Sequence, residues 1–253
     1  MLTIDLNCDL GEGGLSDEAL MPLVTSANIA CGGHAGDDKT MRATLRLARR
    51  YGVGAGAHPG HEDPVHFGRR ELPVSPAAAA ELVVRQTRRI RRLAAEEGLQ
   101  LTHVKLHGAL YNQASRDSAL AAAVVRALAT DFPGLPLIAL AGSVLETTAR
   151  RYLGAPVRAE AFADRAYEVG GSLRARGLPG ALLPDAAAAE RQVLQIVRSG
   201  QVSTWDGGET PLQAQTLCLH GDGPDPVGFA RRLRSALAAA GVAIQGFPQP
   251  VSP

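Results

Sequence analysis

Lysine is nearly absent from this chain of 253 residues. Only Lys39 and Lys105 occur, and neither follows a glycine, so a GxxxxGK[ST] phosphate loop is excluded. Aromatic residues make up 4% of the chain, too few for a protein that stacks bases or sugars along an extended surface. A net charge of +1 gives no field to attract nucleic acid or an anionic membrane. The three cysteines, Cys8, Cys31 and Cys218, are far apart and form no CxxC pair, which argues against a zinc ribbon or a disulfide framework. Neither GxSxG nor HExxH occurs, which disfavours a serine hydrolase and a zincin. No apolar run approaches the ~18 residues of a membrane span. Asp5 interrupts any signal-peptide core. The cytoplasm is the expected location.

What is there is an alternation of short apolar runs and longer helical segments. The runs Leu2–Leu10, Ser26–Cys31, Val53–His58, Thr102–Leu106, Leu135–Ala141, Val157–Phe162, Thr216–His220 and Val242–Phe247 read as strands. Between them, 38–51, 76–97, 117–130, 143–152, 185–199 and 226–240 read as helices. Ser75-Pro76 is a cap followed by proline at the first helical position, and Gly98 is a stop. Asp38 reads as the cap of the helix it opens. The stretches 177–184 and 201–211 read as loops. This order implies a parallel sheet with helices outside it. Its length suits one closed (β/α) barrel over residues 1–253, with 248–253 a loose tail; an open doubly wound sheet is the alternative.

Polar residues recur at a spacing of two on several strands. Side chains alternate between the two faces of a strand, so such residues share one face and are costly there unless used. Asp5, Asn7 and Asp9 occupy the first strand, which turns through Gly11-Glu12-Gly13-Gly14. The second strand ends at Asn28 and Cys31, followed by His34 and Asp37; Cys31 is better suited to a small buried thiol than to a nucleophile. The third closes on His58. Its Gly52-Val-Gly-Ala-Gly-Ala spells GxGxxA, but no helix follows, so it is not a dinucleotide fingerprint. The fourth carries His103, Lys105 and His107; the two imidazoles lie roughly 13 Å apart on an extended strand, too far to share one ion. Lys105 faces the interior, as a base of lowered pKa, as a holder of an anionic group, or as the partner of Asp5 or Asp9. Glu160, Asp164 and Arg165 end the sixth strand, and His220 and Asp222 the seventh. The loop 61–70 reads as a binding loop or lid. Strand ends that gather carboxylates, imidazoles and one ammonium suit general acid–base hydrolysis, with or without a metal.

The segments Asp5-Leu-Asn-Cys-Asp-Leu-Gly-Glu, Ser26-Ala-Asn-Ile-Ala-Cys-Gly-Gly-His-Ala-Gly-Asp, Ala57-His-Pro-Gly, Phe67-Gly-Arg-Arg, Lys105-Leu-His-Gly-Ala-Leu-Tyr-Asn, Glu160-Ala-Phe-Ala-Asp-Arg-Ala-Tyr and Cys218-Leu-His-Gly-Asp strongly resemble the LamB/YcsF family, the A subunits of bacterial ATP-dependent 5-oxoprolinases. The resemblance covers nearly the whole chain. Leu106 departs from the usual proline, and His61, Glu62 and His66 depart from the usual loop residues. The resemblance implies a seven-stranded (β/α) barrel of the glycoside hydrolase/deacetylase kind. It implies cleavage of the lactam of 5-oxo-L-proline to L-glutamate, with ATP as co-substrate and subunits B and C as partners; self-association is left open. Residues carried over as catalytic are Asp9, Glu12, His34, His58, Lys105 and His107. Those carried over as substrate-binding are Asn7, Asn28, Cys31, Arg69, Asn112, Glu160, Arg165, His220 and Asp222. One alternative is a deacetylase-like hydrolase of a C–N bond, with Asp9, His34 and His58 holding a divalent metal such as Mg²⁺. The other is a non-catalytic subunit that presents substrate.

Overall fold

The structure, a computed structural model, describes residues 2–221 and 224–247; the expected tail at 248–253 and Asp222 lie outside them. Ten strands are present among the described residues: β1 (Leu2–Leu10), β2 (Ser26–Ala30), β3 (Gly54–His58), β4 (His103–Lys105), β5 (Leu137–Leu140), β6 (Val157–Phe162), β7 (Gln201–Ser203), β8 (Glu209–Pro211), β9 (Thr216–His220) and β10 (Val242–Ile244). Seven of them close a parallel barrel in the order β1-β2-β3-β4-β5-β6-β9, with β9 returning to β1. The last expected strand is not a stave. β10 pairs only with Leu2–Ile4, below the level at which Asp5–Asp9 pair with β9. The expected loop at 201–211 is also corrected, because β7 and β8 form an antiparallel hairpin.

The helices are α1 (Asp17–Leu20), α2 (Asp38–Tyr51), α3 (Pro76–Glu96), α4 (Gly108–Arg116), α5 (Ser118–Asp131), α6 (Val144–Tyr152), α7 (Ala186–Ser199) and α8 (Pro226–Ala239). Ser75, Asp117, Ser143, Asp185 and Asp225 cap five of them by accepting a backbone N–H. For α2 the cap is Asp37 rather than Asp38; Asp38 instead pairs with Arg89. Helix α4 was not expected from the pattern. It starts straight after His107 with no side-chain cap to announce it.

Register decides what fills the barrel. Asp5, Asn7 and Asp9 stand opposite Thr216, Cys218 and His220, while Asn7 and Asp9 stand opposite Ser26 and Asn28. The same side of the sheet continues through Gly56 and His103. The other side, with Leu6, Leu10, Ile29, Val104 and Leu217, packs against the helices in one apolar core. The lumen is therefore polar, where apolar branched residues usually fill such barrels. A glycine makes room for it: a Cβ at Gly56 would lie 2.1 Å from His103 Nε2. Gly56→Ala should destabilise the protein by about 1–3 kcal/mol through overpacking, read as a lower denaturation midpoint.

Candidate active site

The lumen is a ladder of satisfied polar groups. At the bottom, Thr25, Ser26 and Thr216 donate to the Asp5 carboxyl. Burial raises the Asp5 pKa, and those three donors only partly offset it. One layer up, Asn7 donates to Glu160 and Thr216, and Asn28 donates to both Asn7 and Asp9. His103 Nε2 meets Asn28 Oδ1 at 2.8 Å. Burial, with Lys105 nearby, pushes His103 down to about 3, so this imidazole is neutral.

Lys105 is the hub. Its ammonium lies 3.0 Å from Asp9 Oδ1, 2.8 Å from Glu160 Oε1 and 3.2 Å from Asn7 Oδ1. Burial alone would lower the Lys105 pKa, but the facing Asp9, Cys218 and Glu160 hold it well above the ordinary value. The expectation of a lysine base is corrected: Lys105 is a fixed cation. Burial would likewise raise Asp9, yet His58 and Lys105 keep it well below the usual carboxylate range. Tyr111 completes the layer, donating to Glu160 Oε2 at 2.6 Å.

Above this layer opens a cavity of about 300 Å³ at the C-terminal ends of the strands. Asp9, His58, Lys105, His107, Tyr111 and Phe162 form its floor and walls. Arg69, Asn112, Arg165 and Arg176 reach it from the loops and from α4, and His220 from the end of β9. On one side Glu12, His34, His58 and His107 crowd together. His34 lies flat on His107 with ring centroids 3.5 Å apart, and its Nε2 meets Glu12 Oε1 at 2.9 Å. On the other side His220 Nδ1 meets the Asp164 carboxylate at 2.8 Å, and Arg176 reaches His220 Nε2 at 2.9 Å. Burial would raise Asp164, but His220, Arg176 and Arg165 outweigh it, so the carboxylate is charged.

Several expected substrate contacts fall outside this cavity. Asn7, Asn28 and Glu160 are fully buried in the layer beneath it, spent on one another and on Lys105. Their place is to hold Lys105 and Asp9. Cys31 is also buried; it accepts the His58 backbone N–H, and burial pushes its thiol up to about 12. All three cysteines are buried. Native protein at pH 8 should therefore resist iodoacetamide and take it up only once denatured, as mass spectrometry would show. Arg165 does line the cavity, although its guanidinium is tied to the Ala181 and Arg174 carbonyls.

The loop 61–70 is fastened, not free. Phe67 O accepts from His107, and Gly68 O accepts the Ala109 backbone N–H. Gly68 must lack a Cβ, which would sit 2.7 Å from His34 Cβ. Of the departures from the family pattern, Leu106 lines the cavity, whereas the three in the loop are outside its lining: His61 bonds Gln113, Glu62 pairs with Arg85, and His66 pairs with Asp63. Sequence reasoning missed Arg176 and Tyr111 and left Asp164 without a role. Tyr111 lies inside a quoted motif; Arg176 sits in irregular chain that carries no periodic signal.

Fold and site together define a closed parallel (β/α) barrel with a cavity lined by carboxylate, imidazole and guanidinium groups at its strand ends. A deacetylase solved with its substrate shares the fold, with a TM-score of 0.51 at 13% identity over 97% of this chain and 88% of that one. The chain belongs to the LamB/YcsF family, whose sequence model matches residues 4–252. A lactam utilization protein from Thermus thermophilus superposes with a TM-score of 0.89 at 43% identity, covering 97% of this chain and 100% of that one. A relative from Chloroflexus aggregans, described as the A subunit of 5-oxoprolinase, is 51% identical over 250 residues, 97% of this chain and 99% of its own.

Proposed function

We propose that this chain is the A subunit of a 5-oxoprolinase. It opens the lactam of 5-oxo-L-proline to L-glutamate, with ATP hydrolysis as the driving reaction and B and C subunits as partners. The observation that carries this reading is the cavity itself: small, lined with cations, and flanked by a carboxylate–imidazole pair. The names of the Thermus and Chloroflexus relatives support it.

An anionic lactam needs a cation for its carboxylate, a group that takes a proton from water and one that returns it to the ring nitrogen. Arg69, Arg165 and Arg176 face the cavity and suit the carboxylate. With Asp164 charged, His220 keeps its proton on Nδ1 and presents the Nε2 lone pair. Arg176 covers that lone pair. A substrate carboxylate drawing Arg176 away would bare His220 for proton transfer. Asp9, locked between Lys105 and His58, is a weak base but a fixed negative charge that positions both.

No phosphate loop is present, so nucleotide handling falls to the partner subunits or to a site of another kind. Among the described residues no helix is long and apolar enough to cross a membrane. A cytoplasmic enzyme built as one barrel domain fits this reading. The test is omission: glutamate should form from 5-oxoproline only when ATP, the partner subunits and this chain are all present. Full release without this chain would reject the proposal.

A further inference from the structure

The histidine cluster lies across the cavity from the His220–Asp164 pair and takes no part in the proton chemistry above. His58 Nδ1 lies 2.8 Å from the Lys105 carbonyl oxygen, and His107 Nε2 lies 2.8 Å from the Phe67 carbonyl oxygen. A carbonyl only accepts, so each of these nitrogens bears the ring proton. In the neutral rings the remaining nitrogens, His58 Nε2 and His107 Nδ1, are bare, and they face each other across 2.9 Å. Two opposed lone pairs at that distance call for a cation between them: a proton carried on His58 beside Asp9, or a metal ion that displaces that proton on binding.

Carboxylates border the same gap. Glu12 Oε1 is 3.4 Å from His107 Nδ1 and 4.0 Å from His58 Nε2. Asp9 Oδ2 is 3.2 Å from His58 Nε2. Three atoms separated by 2.9, 3.4 and 4.0 Å lie on one circle of radius about 2.0 Å, the bond length of zinc to imidazole and carboxylate. Imidazoles anchored through their other nitrogen to backbone carbonyls are the usual support of metal-ligating histidines. Both His58 and His107 line the cavity, so a ligand position on that side is open to substrate.

We propose that Glu12, His58 and His107, with Asp9 beside them, form a binding site for one divalent transition-metal ion of the zinc class. The inference rests on the oxoprolinase reading only for the ion's use, not for its binding. Two nitrogen donors favour zinc over the Mg²⁺ expected from sequence. The ligand set changes too. His34 is not a ligand: its Nε2 is spent on Glu12 Oε1, which it orients. His107 takes its place. An ion here would polarise the lactam oxygen or activate water.

The test is equilibrium dialysis of the full, chelator-stripped chain against Zn²⁺, with Co²⁺ absorption and the thermal midpoint as further readouts. One ion per chain is expected, with a cobalt visible band and a raised midpoint. His107→Ala and Glu12→Gln should each weaken zinc binding by about 100-fold or more, and His34→Ala by about tenfold. Far-UV circular dichroism checks that each variant is folded. Glu12→Gln preserves shape and keeps the test sharp if His107→Ala does not fold. Wild-type protein that takes up no zinc, or a folded Glu12→Gln that binds as well as wild type, overturns the site. Zinc binding without any glutamate from the complete mixture would instead reject the oxoprolinase reading and uphold the site.

Discussion

Replacing His220 with alanine, or Asp164 with asparagine, should lower glutamate release by about 10²- to 10⁴-fold, the usual yield of a positioned acid–base group. The two residues act as one unit. Asp164 accepts from His220 Nδ1 through both oxygens at 2.8 and 2.9 Å, which fixes the tautomer and leaves Nε2 for substrate. Asparagine fills the same space but removes the charge that selects that tautomer. His220 lies at the cavity mouth rather than in the apolar core, so its truncation should leave the fold intact. The check is kcat in the complete mixture beside a circular dichroism spectrum. A folded variant with an unchanged rate would remove His220 from the chemistry.

Lys105→Met should destabilise the protein by about 3–5 kcal/mol, the cost of breaking a buried ion pair and stranding its partners. Here the stranded groups are Asp9 and Glu160, both bonded to the ammonium. The pH window follows from the directions of the shifts. The folded Lys105 pKa lies above its ordinary 10.5, so its contribution is complete below that pH and fades as pH rises further. The folded Asp9 pKa lies below its ordinary 3.8, so its contribution is complete above that pH and fades as pH falls further. Urea unfolding at neutral pH should show the full loss. A variant as stable as wild type at pH 7 would mean that the ammonium is not holding the lumen together.

The spacing of Asp5, Asn7 and Asp9 was legible as one face of a buried strand, and Lys105 as an interior residue, because period two is a property of the strand alone. Depth was not legible. Asn7, Asn28 and Glu160 share the lumen with Asp9 but sit a layer below the cavity, and only the register between strands fixes that height. Charge state was not legible either, since Lys105 owes its ammonium to carboxylates from β1 and β6. His103 and His107 do lie apart, as extended spacing requires: His103 turns to Asn28, and His107, at the start of α4, turns to His58. That meeting joins β3 to the start of α4, which no local pattern records. Arg176 is brought to the His220–Asp164 pair by an irregular segment whose path depends on the barrel beneath it.

The most direct measurement varies this chain alone in a mixture of 5-oxoproline, ATP and partner subunits. Glutamate is followed with the chain omitted, with wild type, and with a folded Asp9→Asn/His220→Ala double variant. The account predicts release with wild type and only background in the other two. Release by the double variant at the wild-type rate would contradict it, because the cavity at the strand ends would then not be where the lactam opens.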